Sequence, residues 1–181
     1  VRNVHWNKPQ LTAQIVGANE QYHVWGRGTG KSEGLIAPWS ANCAHAMPKS
    51  RGAFVARTYL QLLERTLPPV IKGWENMGYK RNVDFWVREK PPKSANVPAP
   101  IVGPCVSDHT IFWKNGSVIS MVSQDRPGSA NSMTIHYEGG DEAKFLDKGK
   151  LDTELAPANR GDGRYFEGIP EFHSILYCTD M

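Results

Sequence analysis

Tyr22-His23-Val24-Trp25-Gly26-Arg27-Gly28-Thr29-Gly30-Lys31-Ser32 runs from β-prone residues through alternating glycines into a Lys-Ser pair. The first four residues predict a short buried strand. A helix is expected from Lys31 through Leu35, Ile36, Trp39 and Cys43, ending before Pro48, with a kink or early break at Pro38. Strand, glycine loop and helix in that order form the setting of a phosphate-binding loop. Glycines let the backbone curl so that successive N–H groups face an anion at the helix start. Lys31 stands where a lysine reaches the β- and γ-phosphates, and Ser32 where a hydroxyl ligates Mg²⁺. The pattern departs by one residue from G-x-x-x-x-G-K-[ST]: the residue five before Gly30 is Trp25, and the nearest glycine is Gly26. Arg27 adds a cation suited to a loop surrounding phosphates.

Working outward, the 181 residues carry 21 Lys+Arg against 18 Asp+Glu, a net charge of +3. That length fits one domain with a sizeable core, and the balance permits a nucleic-acid partner without arguing for one. No apolar run approaches the ~20 residues of a membrane span. The chain begins at Val1 and stops at Met181, directly after a predicted strand, and reads as a piece of something longer. Cys43, Cys105 and Cys178 form no C-x-x-C pair and read as reduced thiols of an intracellular protein.

Pro9, followed by Leu11 and Ile15 four residues apart, predicts a short amphipathic helix before the loop. Arg51–Arg57 reads as a second strand, with a helix after it carrying Leu60, Leu63 and Leu67 up to Pro68-Pro69. Strand–helix alternation implies a parallel α/β sheet. Residues 79–105 break that rhythm, and a Pro-rich exposed loop is expected at about 89–105. Thr110–Lys114 and Ser117–Val122, joined by Asn115-Gly116, predict a β-hairpin with a type I′ turn. Phe172–Cys178 should form a last strand ending in Thr179-Asp180. The six tryptophans are scattered, which favours core packing for most of them. The cations Lys80, Arg81, Arg88, Lys90 and Lys93 are interspersed with Asp84 and Glu89, which favours a solvated loop over a DNA contact. His136 and His173 read as strand residues.

A phosphate loop hydrolyses nothing without carboxylates for metal and water. Asp141-Glu142, after Ile135-His136-Tyr137-Glu138-Gly139-Gly140, supplies adjacent candidates at a strand end. The strand is unusually polar for a buried parallel one, which leaves a solvated acidic turn as the alternative.

With these blocks placed, the chain resembles the ATPase domain of the large terminase subunit of tailed phages, the ATP-driven motor that packages double-stranded DNA into procapsids. The residues that carry it are Trp25–Ser32 with its early arginine, Phe54–Tyr59 with Leu60–Leu63, Gly140–Leu146, and Leu176–Met181. The resemblance covers nearly the whole chain. It implies an α/β P-loop NTPase of the ASCE type, with a mostly parallel sheet flanked by helices and a β-hairpin insertion. Residues 1–181 would be that ATPase domain, without the C-terminal nuclease. Gly26, Arg27, Gly28, Thr29, Gly30, Lys31 and Ser32 would bind ATP, with Mg²⁺ held by Ser32 and Asp141. Glu142 would polarise water, and Arg27 would sense or stabilise the γ-phosphate. Gln10, or alternatively Gln14, would contact adenine. Thr179 and Asp180 would couple hydrolysis to movement. Arg126 is the candidate trans-acting arginine, with Arg57 and Arg160 as rivals. The implied partners are double-stranded DNA, a portal, a small terminase subunit and further copies in a ring. The implied location is the cytoplasm of the infected bacterial host, transiently docked on the procapsid, with no membrane. Two other readings stay open: a RecA-like helicase or other DNA-dependent ATPase, and a nucleotide-binding assembly module without turnover.

Overall fold

Asn7 opens the first helix, α1 (Lys8–Val16), through a capping box in which its side chain accepts from the Gln10 amide and Gln10 accepts from the Asn7 amide. The structure is a computed structural model describing residues 4–104, 106–126, 130 and 133–181; Cys105 lies outside them. The predicted helix is present, but its buried face differs from the expected one. Leu11 and Ile15 are exposed, whereas Gln10 is buried. The helix packs by polar residues because what lies beneath it is the backbone of the glycine loop. Gln10 Nε2 donates to the carbonyls of Thr29 and Gly30, and Gln14 Nε2 donates to that of Gly34.

Among the described residues, seven strands form one sheet in the order β1-β7-β6-β2-β5-β4-β3. These are β1 (Glu20–Trp25), β2 (Arg51–Ala56), β3 (Phe85–Val87), β4 (Thr110–Trp113), β5 (Val118–Ser123), β6 (Tyr137–Gly140) and β7 (Ser174–Asp180). Pairing is parallel from β1 to β5 across β7, β6 and β2, and antiparallel for β5–β4 and β4–β3. β7 therefore lies between the strand that enters the glycine loop and the strand that precedes the acidic pair. This is the mostly parallel P-loop NTPase arrangement of the ASCE type. β1 is an edge strand with alternating exposure, not the buried strand its sequence suggested.

One face of the sheet packs on α2 (Ala37–Ala46) and α4 (Leu67–Asn76) around Leu35, Trp39, Phe54, Trp74 and Leu176. The other face buries Ala53, Val55, Val122 and Tyr177 against Leu155 and Ala158. Prolines did not end the helices as predicted. The π-helical turns Ser32–Ile36 and Leu62–Thr66 precede Pro38 and Pro68, and the helices run on to Ala46 and Asn76. A third π turn, Leu151–Leu155, precedes Pro157. The wider turn shifts the carbonyl that a proline ring would strike. Pro38 also leaves the Gly34 carbonyl without its helical donor, and Gln14 takes that place. In the α3 (Tyr59–Gln61) region the helical phase is corrected too: Leu60 is exposed, and Leu62 is the fully buried leucine.

Residues 79–105 contain a strand the sequence reading missed, β3, whose three residues are buried beside β4. The described part of the Pro-rich stretch otherwise holds a short 3-10 turn, Lys93–Ala95, and divides between exposed and half-buried residues, with Ala95, Val97 and Ile101 packed against the core. The β4–β5 hairpin is present with a different turn. The Gly116 amide donates to the Trp113 carbonyl and the Trp113 amide to that of Ser117. Of the Asn-Gly pair only Gly116 has a positive φ, 87°. This is a three-residue loop closed by a left-handed glycine, not a type I′ turn. His136 and His173 each lie one residue outside a strand.

β6 is central and fully buried despite its Glu and two Gly. A Cβ on Gly139 would lie 2.7 Å from the Leu176 carbonyl and 2.7 Å from the Trp39 ring, so the strand is thin where its neighbours are thick. Glu138 is 3 % exposed and accepts from the Tyr177 hydroxyl at 3.1 Å. Burial pushes its carboxyl from 4.5 up to about 7, and the Tyr177 bond opposes that.

Gly139→Ala should cost about 2 kcal/mol by overpacking, read from urea unfolding; no change would mean the sheet yields there. Because the folded state favours protonated Glu138, its contribution is fullest below 4.5 and is lost as pH rises through about 7. The stability difference between Glu138→Gln and the wild type should therefore grow by about 3 kcal/mol in favour of the variant between about pH 4 and about pH 9. A pH-independent difference would contradict it.

Candidate functional site

The site forms at the C-terminal ends of the parallel strands, where α/β sheets place ligands. β1 runs out into Gly26, and the loop turns on Gly28 and Gly30, both at φ 73°. The Thr29 hydroxyl donates to the Gly26 carbonyl at 2.8 Å, and Asn7 Nδ2 donates to the Thr29 carbonyl at 3.2 Å. Gln10 holds the carbonyls of Thr29 and Gly30 at 3.0 and 3.1 Å. In a planar trans peptide the N–H points opposite to its carbonyl, so the amides of Gly30 and Lys31 face away from Gln10. Lys31 Nζ donates to the carbonyl of Gly26 at 3.0 Å.

Asp141 follows directly on β6 and is buried. Its Oδ2 accepts a hydrogen bond from the Ser32 hydroxyl, and its Oδ1 accepts from the Glu142 amide at 2.9 Å. Glu142 sits in the left-handed region at φ 54°, a strained backbone that turns the chain sharply after Asp141. Burial, then the carboxylates of Asp180 and Asp141, raise its pKa above the ordinary value. A hydroxyl and a carboxylate side by side are hard oxygen donors of the kind Mg²⁺ takes, with waters and phosphates completing six ligands. The donor set therefore fits Mg²⁺.

A cavity of about 380 Å³ is lined by Arg27, Gly28, Gly30, Lys31, Ser32, Glu33, Pro69, Asp141, Glu142 and Asp180. Seven of those ten were singled out in the sequence for phosphate, metal or water, and Asp180 for coupling. Arg27 Nε donates to Asp180 Oδ2 at 2.5 Å, and Lys144 Nζ pairs with Asp180 Oδ1. These two cations, Lys144 foremost, hold the Asp180 carboxyl well below the usual carboxylate range. The Thr179 hydroxyl accepts from the Lys144 amide at 3.3 Å.

Next to this cavity, sharing Gly30 and Glu33, is a groove of about 610 Å³ between Val4, His5 and Trp6 on one side and Gly73 and Asn76 on the other. Glu33 is fixed there by Asn76 Nδ2 at 2.6 Å and Lys72 Nζ at 3.2 Å. Trp6 and Asn76 were missed by sequence reasoning, and Lys144, although inside the Gly140–Leu146 block, was given no role there. No motif marks Trp6 or Asn76, and only the fold brings them to the loop. Gln10 borders the groove, but its amide is engaged at both ends, by the Asn7 amide and by the loop carbonyls. Gln14 is spent on Gly34. The arginines proposed to act in trans are dispersed. Arg126 lies over the Tyr59 ring, 5.3 Å from its centroid. Arg57 follows β2, and Arg160 lies between Asn159 and Gly161, whose amide bonds Ile135 before the start of β6. None of the three lines the cavity.

Cys43 and Cys178 are buried free thiols whose pKa values burial raises, and they take no part in the site. No helix among the described residues is long and apolar enough to cross a membrane.

No protein-family model and no curated protein sequence matches the chain. Solved structures do. The ATPase domain of the large terminase of Thermus phage P74-26 superposes with a TM-score of 0.59 and 18% identity, over 97% of this chain and 64% of that one. The large terminase of another thermophilic bacteriophage, in complex with ADP, gives a TM-score of 0.68 at 10% identity, over 97% of this chain and 39% of that one. The same phage's protein in complex with ATP-γ-S gives 0.62 at 11% identity, over 97% and 38%. The chain thus spans under two thirds of the length of these solved proteins, and across that span its fold is that of a phage large-terminase ATPase domain.

Proposed function

We propose that the chain hydrolyses ATP to ADP and phosphate as the ATPase domain of a large terminase subunit. The observation that carries this reading is the Ser32–Asp141 hydrogen bond. It joins a glycine-loop hydroxyl to a carboxylate 109 residues away, with Lys31, Arg27 and Glu142 lining the same cavity. Support also comes from a thermophilic-phage terminase of the same fold, solved with ADP and with ATP-γ-S.

In this mechanism the amides of Gly30 and Lys31 and the Lys31 ammonium bind the phosphates, while Gly26, Gly28 and Thr29 shape the loop. Ser32 and Asp141 would hold Mg²⁺, which when bound neutralises charge on the phosphate oxygens. Glu142, with its raised proton affinity, takes a proton from the attacking water. Arg27 leaves Asp180 for the γ-phosphate. The base lies in the neighbouring groove with Trp6 against its face, and Gln10 secures the loop below it. Arg126 is assigned as the arginine delivered to a neighbouring copy's site. Thr179 and Asp180 pass the change at the γ-phosphate to β7. The work done is translocation of double-stranded DNA by a ring of copies, with a portal and a small terminase subunit as partners, in the cytoplasm of an infected bacterium. That assignment of partners rests on the resemblance to terminases.

Glu142→Gln should lower ATP turnover by at least about 100-fold while leaving binding of fluorescent ATP within about threefold. Unchanged hydrolysis would remove Glu142 as the base. Trp6→Ala should weaken ATP about tenfold or more, the scale of one base stacked on an aromatic ring, and leave inorganic triphosphate affinity unchanged. Equal losses for both ligands would place the base elsewhere.

A further inference from the structure

Asp180 is the last residue of β7, its side chain is 2 % exposed, and its carboxylate is shared by two cations from different segments of the chain, of which Arg27 lines the cavity. Arg27 comes from the glycine loop and Lys144 from the 3-10 turn Ala143–Phe145 that follows Glu142. The two partners differ in freedom. The Arg27 side chain is 84 % exposed, and Lys144 is 33 % exposed. Lys144 is also anchored by its backbone, whose amide donates to Thr179. Lys144 is thus built into the strand end, whereas Arg27 reaches in from solvent.

From this geometry we infer that Lys144 is a positioning residue for Arg27, acting through Asp180. A carboxylate hidden from water and left with one cation grips it harder than one whose charge is already met by a second. By occupying Oδ1, Lys144 weakens the hold of Asp180 on Arg27 and leaves the guanidinium free to transfer to an anion in the same cavity. Without Lys144, Arg27 is the one cation paired with Asp180 among the described residues and stays on it. The three residues therefore set a competition for Arg27 between Asp180 and a phosphate. The physical part of this inference stands on the ion pairs alone; its consequence for turnover rests on the ATPase reading above.

The test reads Arg27 directly, as the rate at which phenylglyoxal labels its guanidinium, followed by peptide mass spectrometry. Lys144→Met should slow labelling of Arg27 about threefold or more, the scale of a modest change in a partly exposed ion pair. Lys144→Arg should restore the wild-type rate. Asp180→Asn should speed labelling, and Lys144→Met combined with Asp180→Asn should label as fast as Asp180→Asn alone. Equal labelling of Arg27 in the wild type and Lys144→Met overturns the inference, as does a slow double variant. Lys144→Gln repeats the measurement if Met lowers the melting temperature. In the ATPase assay, Lys144→Met should lower kcat about tenfold with KM within about twofold, the pattern of a lost transition-state contact. If the labelling shifts appear but the wild-type protein hydrolyses no ATP, the ATPase reading falls and the charge sharing stands. Turnover without labelling shifts would do the reverse.

Discussion

The hydrogen bond from Ser32 to Asp141 connects the ends of two strands that never touch, because β7 lies between β1 and β6. Two inter-strand spacings amount to about 10 Å, too far for a serine and an aspartate at adjacent strand ends to meet in the plane of the sheet. The glycine loop must therefore arch over the end of β7, and the other features of the site follow from that arch. Its carbonyls need donors on the outer side, which is why α1 packs with glutamines instead of leucines. The residue under the arch is the last of β7, so Asp180 meets Arg27 of the loop. A strand whose end lies beneath the glycine loop is placed to feel any change above it.

The central position of β6 rests on volume rather than hydrophobicity. Trp39 and Tyr137 meet edge to face with ring centroids 5.7 Å apart, and Tyr177 lies on the opposite side with its hydroxyl on Glu138. Trp39 leaves no room for a side chain at Gly139, and Val55 with Tyr177 leaves none at Gly140, so a polar sequence with little bulk fills the middle of the sheet. Glu138 is accommodated because much of its charge is given up: burial keeps it near half-protonated at neutral pH. The same thinness brings the strand end carrying Asp141 close to its neighbours.

Much of the site was legible in the sequence because its chemistry restricts which residues can stand there. Alternating glycines before Lys31-Ser32 mark the loop, and the resemblance put Ser32 and Asp141 on one metal, although Asp141-Glu142 alone also read as a solvated acidic turn. What could not be read depends on partners distant in the chain. Leu60 and Leu62 are equally apolar, and only the placement of β2 and β5 decides which of them is buried. The prolines were misread because a π turn is invisible to a 3.6-residue count. β3 was missed because its three residues lie among prolines and charges, and only pairing with β4 makes them a strand. Trp6 belongs to no motif, and Lys144 stands two residues past Glu142 with no role that its type announces; their proximity to the loop is a property of the fold.

The electrostatics of the cavity bear on how a polyphosphate would be drawn in. Arg27, Lys31, Lys144 and the Lys72 that pairs with Glu33 stand against Asp141, Glu142, Asp180 and Glu33, so the charges in and around the site cancel. The chain's excess charge lies elsewhere: residues 79–97 hold five cations and two acids, which accounts for all of the net +3. Those cations are exposed, and ones farther from the cavity than a Debye length, about 8 Å in physiological salt, are largely screened from it. Attraction to an anion must then come from contacts at the loop itself, the oriented amides and the Lys31 ammonium. It must also come from cations that can change partner. Arg27 is the most exposed of these, and its present partner is a carboxylate that a second cation already holds. A site balanced in this way gains little from binding a charge anywhere but where the amides point, which turns near-neutrality into selectivity for position.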